Sequence, residues 1–272
     1  MPTSAIAVTL PGRRFLSIRR KMSFKTFARM IPVRPGWKRE YYGGRARIRP
    51  SWTRVTFELD LNPRTARRVR GLRPIRPQDS EELCAAFLDS FRVAPDYCDY
   101  PMRAFRAKAA EYVSDFFGGV RGAWSPASTV VVQNRTIVAA ALIKLRDQKP
   151  PLLDCLLVRP AFFRKGLATA AAIRGVNELA AGGFSTLRSS ALLANETSIA
   201  WHTAFGFREL PDLFVAQSRY YSAMYERERL EEHGKLTEPE RKRLTNLAEF
   251  WWAEERRLTA LPFDKRYGGV TD

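Results

Sequence analysis

The sequence predicts an α/β (α+β) fold. Strand-like and helix-like patterns alternate between residues 72 and 210. Upstream, residues 38–61 carry strand patterns alone, and beyond residue 210 only helical spacing is found. At 272 residues the chain has room for one large domain with appendages or for two small domains. Its 45% hydrophobic and 12% aromatic content excludes a collagen-like or low-complexity chain.

The elements follow in order. Lys38–Tyr42 and Arg45–Ile48 form two short strands joined by Gly43-Gly44, a two-residue hairpin signal. Trp52–Leu61 alternates in strand fashion, with Val55, Phe57, Leu59 and Leu61 on one face. Leu72–Arg76 is a short strand. Asp79 caps a helix, with Glu82 in capping-box position and Leu83, Phe87, Leu88 and Phe91 as its apolar stripe. A second helix runs from Asp99 to Phe117 and stops at Gly118-Gly119. Thr129–Val132 and Thr136–Leu145 are strands turned by Asn134-Arg135. Pro150-Pro151 breaks the chain before Leu152–Val158, which is apolar enough to be central in a sheet. Gly166–Ala181 is a small-residue helix, Phe184–Ser190 a strand, and Asn195 caps a helix ending at Phe205. The spacing of Leu213, Tyr220, Met224 and Leu230 predicts a helix closed at Gly234. Thr237-Glu238-Pro239-Glu240 starts another, which runs to Leu258 with Leu244, Leu247, Trp251 and Leu258 inward. The expected domains are a basic, flexible segment 1–37, a β-rich extension 38–71, an α/β domain 72–210 and a helical extension 211–272.

Charge is uneven. The whole chain carries +18, of which residues 1–70 contribute +15, with 18 Lys and Arg against Glu40, Glu58 and Asp60. The first 39 residues contain no acid. They read as a tail (with Met22 as an alternative start), as an organelle-targeting segment, or as an arm for an anionic partner such as nucleic acid. No apolar run reaches the ~20 residues of a membrane-spanning helix. Three scattered cysteines argue against disulfides, and two distant histidines against a metal centre. A reducing, cytoplasmic setting is expected, or an organelle if residues 1–21 are a transit segment.

The stretch LLVRPAFFRKGLATAAAIRG, residues 156–175, carries the chemistry. A strand ends at Val158, a basic loop follows, and a helix opens at Gly166. A helix N-terminus offers unpaired N–H groups and a positive dipole end, a ready site for a pyrophosphate. The same pattern also suits a packed turn with solvated Arg164 and Lys165.

These residues resemble the GNAT acyltransferase superfamily. The family pattern is a strand ending V-x-P, then [RQ]-x-x-G-x-[GA]. The chain matches it at Val158, Pro160, Gly166 and Ala168 and departs at Phe163. Downstream, Asn195-Glu196-Thr197-Ser198 and Gly206-Phe207 resemble the family's N-x-x-[SA] … G-F segment. The resemblance covers residues 72–210 and implies a mixed, splayed central sheet with helices on both faces. It implies transfer of an acetyl group from acetyl-CoA to a primary amine, by direct attack and without a metal. Leu156, Leu157 and Val158 would bind the pantetheine arm, and Asn195 would touch it. Phe163, Arg164, Lys165, Gly166, Leu167, Ala168 and Thr169 would surround the pyrophosphate. Asp154 is the candidate base, on the same strand face as Leu156 and Val158. His202 is the candidate acid, standing four residues before Gly206. Cys155 reads as a core residue on the opposite face from Asp154. The competing function is a catalytically degenerate body whose basic residues 1–70 bind nucleic acid or another anionic partner. The family continues after Phe207 as a hairpin; here helical spacing replaces it, so the acceptor amine is open.

Overall fold

Among the described residues the chain forms eleven strands and seven α-helices, with β8 buried along most of its length. The computed structural model describes residues 19–65, 67–120 and 122–267. In chain order they are β1 (Arg19–Lys21), α1 (Phe24–Met30), β2 (Trp37–Tyr42), β3 (Arg45–Pro50), β4 (Arg54–Asp60) and β5 (Leu72–Pro74). Next come α2 (Ser80–Phe91), α3 (Met102–Phe117), β6 (Ala123–Trp124), β7 (Thr129–Gln133), β8 (Thr136–Arg146) and β9 (Lys149–Val158). The chain continues through α4 (Leu167–Ala181), β10 (Thr186–Leu192), α5 (Glu196–Phe205), β11 (Arg208–Glu209), α6 (Leu213–Glu232) and α7 (Glu238–Thr259). No described helix is long and apolar enough to cross a membrane.

Two compact units share these elements. The first takes the described residues up to Arg54, Leu192–Thr197, and the described residues from Pro211 on. Its sheet runs β1-β3-β2, and its hairpin turns at Gly43-Gly44 as the sequence predicts. Ala46 and Ile48 pack on Phe27 and Ile31. Part of the expected flexible segment 1–37 is thus strand and helix, because Phe27 and Ile31 have an apolar sheet face to cover; residues 1–18 lie outside the described residues. In the same unit α6 and α7 share a core of Ala223, Leu230, Leu244 and Ala248. Leu247, expected inward, is 38% exposed, because the inward stripe passes through Ala248 instead. Trp251 packs beside Leu213 and Leu258, whereas Trp252 is exposed.

The second unit holds an eight-stranded mixed sheet. Seven strands run in the order β11-β4-β10-β9-β8-β7-β5, and β6 pairs with β8. On one face α2 and α3 cover β8 and β9 with Leu83, Phe87, Phe105, Val113 and Phe116 against Ala140, Leu142 and Leu157. No hairpin follows Phe207. Instead β11 pairs antiparallel with β4, which comes from before the α/β segment and stands between β11 and β10. The span 38–71, read as one extension, is therefore divided at Arg54.

Two local expectations are corrected. Asp79 gives α2 no side-chain cap. Its carboxylate instead takes both terminal nitrogens of Arg73, at 2.7 and 2.6 Å, and the N–H of Arg76 at 2.8 Å. A bidentate guanidinium outcompetes a neutral helix N–H. Pro150-Pro151 does not break the chain either; both lie inside β9, near its first residue, where a missing N–H is tolerated.

Phe57 of β4 is fully buried and stacks on the ring of His202, with centroids 4.5 Å apart. Phe57→Ala is expected to cost about 3–5 kcal/mol of stability, read as a lowered urea midpoint. A change below about 1 kcal/mol would show that β4 is dispensable to the second unit.

Candidate active site

The ladder between β9 and β10 is short. These parallel strands pair only at Leu152↔Arg188 and Leu153↔Ser189. On its other edge β9 stays paired with β8 as far as Val158, opposite Ala139. Asp154–Val158 therefore form no ladder with β10, and the two strands part after the second rung. The last rung is tied by side chains: the Ser189 hydroxyl lies 3.1 Å from the Leu153 carbonyl and 2.9 Å from His202 Nε2.

A bulge marks the same place. Leu142 faces Cys155 and Ile143 faces Leu153, so Asp154 is the extra residue on β9. A bulge upsets the two-residue alternation of side chains. The Tyr112 hydroxyl of α3 consequently meets both Asp154, at 2.6 Å to Oδ2, and the Cys155 thiol. This corrects two expectations. Asp154 is not on the face of Leu156 and Val158, and Cys155 does not point away from it. Asp154 faces α3, on the side where Cys155 and Leu157 join the α2–α3 core.

Lys144 of β8 completes this cluster. Its side chain is 5% exposed, and its ammonium donates to the Val120 carbonyl at 2.7 Å and lies 3.7 Å from Asp154 Oδ2. Burial pushes the Tyr112 hydroxyl well above its ordinary pKa, and does the same to the Cys155 thiol; the Asp154 charge adds to both. Tyr112 is thus a proton donor to the carboxylate and Cys155 a protonated thiol. The Asp154 side chain keeps 20% exposure. The sequence signal for Lys144 was available: a lone lysine in the apolar run TIVAAALIKL. Tyr112 gave none, since a tyrosine on a helix stripe reads as core.

Beyond Val158, the Arg159 side chain grips α2 through Asp89 (2.5 Å) and Glu82 (3.3 Å) and donates to the Ile137 carbonyl. The turn that follows has Arg164 at φ +60° and Gly166 at φ +72°. Gly166 is the N-cap of α4 and supplies no side-chain cap. A Cβ added there would meet nothing within 4 Å, so the mouth of the helix is open. No acceptor outside α4 is found for the N–H groups of Gly166 to Thr169 among the described residues. Lys165 lies over the Phe162 ring at 4.7 Å, and Phe163 is 47% exposed. Thr169 Oγ1 accepts from Trp201 Nε1 at 3.3 Å. The position of α4 is fixed further along. A Cβ on Gly175 would come within 2.7 Å of Ile143 Cδ1 and 2.9 Å of the Ala127 carbonyl. Only glycine lets the helix lie this close to β8.

His202 is not placed as a proton donor to a cleft. It is 3% exposed, its Nδ1 lies 2.7 Å from the Ser198 carbonyl, and its Nε2 meets Ser189. A carbonyl only accepts, so Nδ1 carries the proton. Burial holds its pKa at about 4, against the hydrogen bond to Ser198, which raises it. At neutral pH the ring is an uncharged core group between Phe57 and Phe207. Asn195 directly precedes α5 and donates its N–H to the Leu192 carbonyl at 2.8 Å. It is grouped with the first unit, and the 163–166 turn with the second.

The buried ring gives stability a pH dependence of definite sign. Between pH 6.5 and about 4, the unfolded chain takes up a proton at His202 that the folded chain refuses. Stability therefore falls as pH drops through this window, by roughly 3 kcal/mol in all. Urea midpoints of the wild type are expected to fall from pH 7 to pH 5, and His202→Gln is expected to flatten that slope. An equally steep slope in the variant would reject this assignment.

Residues 81–207 match the model of the Acetyltransferase (GNAT) family. No curated protein matches the chain. Among solved structures it is similar to the PaiA N-acetyltransferase of Thermoplasma acidophilum in complex with coenzyme A. The identity there is 13% and the TM-score 0.41, over 50% of this chain and 88% of that one. It is similar to a GCN5-related N-acetyltransferase of Sphaerobacter thermophilus, at 14% identity and TM-score 0.43, over 57% of this chain and 48% of that one. It is also similar to an aminoglycoside 6'-N-acetyltransferase of Acinetobacter haemolyticus, at 15% identity and TM-score 0.40, over 51% and 90%. With the motif at Val158–Ala168 lying inside the matched stretch, residues 81–207 constitute a domain of the acetyltransferase (GNAT) family.

Proposed function

We propose that this domain transfers an acetyl group from acetyl-CoA to a primary amine by direct attack in a ternary complex. The observation that carries the reading is the parting of β9 and β10 after Leu153 and Ser189, beside an uncapped helix mouth. The residues fit the co-substrate. The N–H groups of Arg164 to Thr169, with the dipole of α4 behind them, are suited to the pyrophosphate, and Arg164 and Lys165 add charge. Gly166 keeps side-chain atoms out of that approach. Phe163 contributes no charge, so the main chain supplies most of the grip. Main-chain groups of Leu156, Leu157 and Val158, free of β10, are available to the pantetheine arm. One N–H there can polarise the thioester carbonyl. Acetyl-CoA supplies the activated acyl group.

Asp154 is assigned the proton of the incoming ammonium. Tyr112 and Lys144 occupy its Oδ2 and fix the carboxylate, leaving Oδ1 for the amine. The freed lone pair forms the C–N bond as the C–S bond breaks, and the second amine proton passes to sulfur. His202, neutral and enclosed, is a positioning residue that holds the last rung through Ser189. The acceptor amine reaches Asp154 through the fifth of its side chain that stays exposed. Its identity is left to experiment.

Calorimetry is expected to show saturable acetyl-CoA binding below about 1 mM, abolished by Gly166→Glu. Absence of binding at millimolar acetyl-CoA would refute the reading. On an amine panel, Asp154→Asn is expected to lower kcat about 100-fold or more with acetyl-CoA affinity unchanged. Full turnover in that variant would remove Asp154 from the proton path.

A further inference from the structure

The β1-β3-β2 sheet of the first unit has two chemically different faces. Ala46 and Ile48 turn toward Phe27 and Ile31. Alternation sends Arg45, Arg47 and Arg49 to the opposite face. The register sets Lys38 opposite Arg49, Glu40 opposite Arg47, and both Tyr42 and Lys21 opposite Arg45. Five cations thus share this face with one carboxylate, Glu40, which accepts from Arg49 Nε at 2.6 Å. Lys21, Lys38 and Arg45 are exposed, and Tyr42 is 90% exposed. Across the three strands Glu40 is the only acid.

Like charges directly opposite on neighbouring strands destabilise a sheet. Lys21 against Arg45 and Lys38 against Arg49 are two such pairs. A polyanion laid across the face would reverse the sign of that cost. Residues two apart on a strand are about 7 Å apart. Arg45, Arg47 and Arg49 therefore form a row spaced like successive phosphates of an extended strand. At the hairpin end of the row, Tyr42 holds out a ring on which a base can stack. Charge alone would suit a vesicle or a duplex; the row together with the free ring favours unpaired bases. We propose that this face binds single-stranded nucleic acid. The inference stands apart from acetyl transfer, since it uses no residue of that site.

The test is fluorescence anisotropy of the full chain with a labelled oligouridylate of about 20 nucleotides. Saturable binding is expected that weakens steeply between about 50 and 200 mM salt. The triple variant K21Q/K38Q/R45Q is expected to lose about tenfold or more in affinity, and its salt slope should drop by roughly 2. Tyr42→Ala should weaken binding about tenfold with the salt slope unchanged. No binding at about 50 mM salt would overturn the proposal. So would an affinity that the triple variant and Tyr42→Ala both leave intact, tighter binding to a duplex of the same length, or binding only to phosphatidylserine vesicles. Thermal unfolding checks that each variant is folded. If the triple variant is not, Tyr42→Ala and the wild-type salt slope decide the outcome.

Discussion

The second rung between β9 and β10 governs the rest of the active-site geometry. Parallel strands side by side would ordinarily pair along their shared length. Here pairing stops at Leu153 and Ser189, and three features hold it there. Asp154 is inserted as a bulge, which turns the strand after it. The Ser189 hydroxyl holds its one proton between two acceptors, the Leu153 carbonyl and His202 Nε2. β10 also has a partner on its other edge, β4. The edge of β9 beyond Leu153 is thereby left with polar main-chain groups that make no ladder with β10. Such groups are costly when buried without partners, which suits them to an extended, amide-bearing ligand arm.

Much of this was legible in the sequence where the signal is local. Gly43-Gly44 between two strand patterns specified the hairpin. Gly166 after a basic loop specified an open helix mouth, and Thr237 with Glu240 specified the start of α7, where both capping bonds form. These signals involve residues a few positions apart, so chain connectivity alone brings them together. Where partners came from far away, the reading failed. Asp79 reads as a cap although Arg73 is only six positions away, because the bidentate geometry that captures its carboxylate follows no spacing rule. Alternation alone puts Asp154 on the wrong face, because a bulge depends on register with β8, which no alternation pattern records. His202 looked like a proton donor by its distance from Gly206. Its burial under Phe57, 145 positions away, decides otherwise.

Charge sorts with structure. The basic excess of residues 1–70 concentrates in the described part on strands of the first unit, whose outer face gathers Lys21, Lys38, Arg45, Arg47 and Arg49. The second unit instead neutralises its arginines locally: Arg159 on Asp89 and Glu82, and Arg188 and Arg208 both on Glu58. The same residue type therefore serves cohesion where acids stand opposite it, as at Arg229 and Glu226, and leaves the β1-β3-β2 face with more cations than its one carboxylate can balance.

The strand β4 lies between β10 and β11, yet it precedes both by more than a hundred residues. During synthesis it leaves the ribosome long before either neighbour exists. Its apolar side, with Val55, Phe57 and Leu59, must wait unshielded until Glu209 has been made. Closing so long a loop carries an entropic penalty and slows folding. The first strand of this sheet to be made is thus among the last to be seated, and the nascent chain exposes a sticky edge throughout that interval.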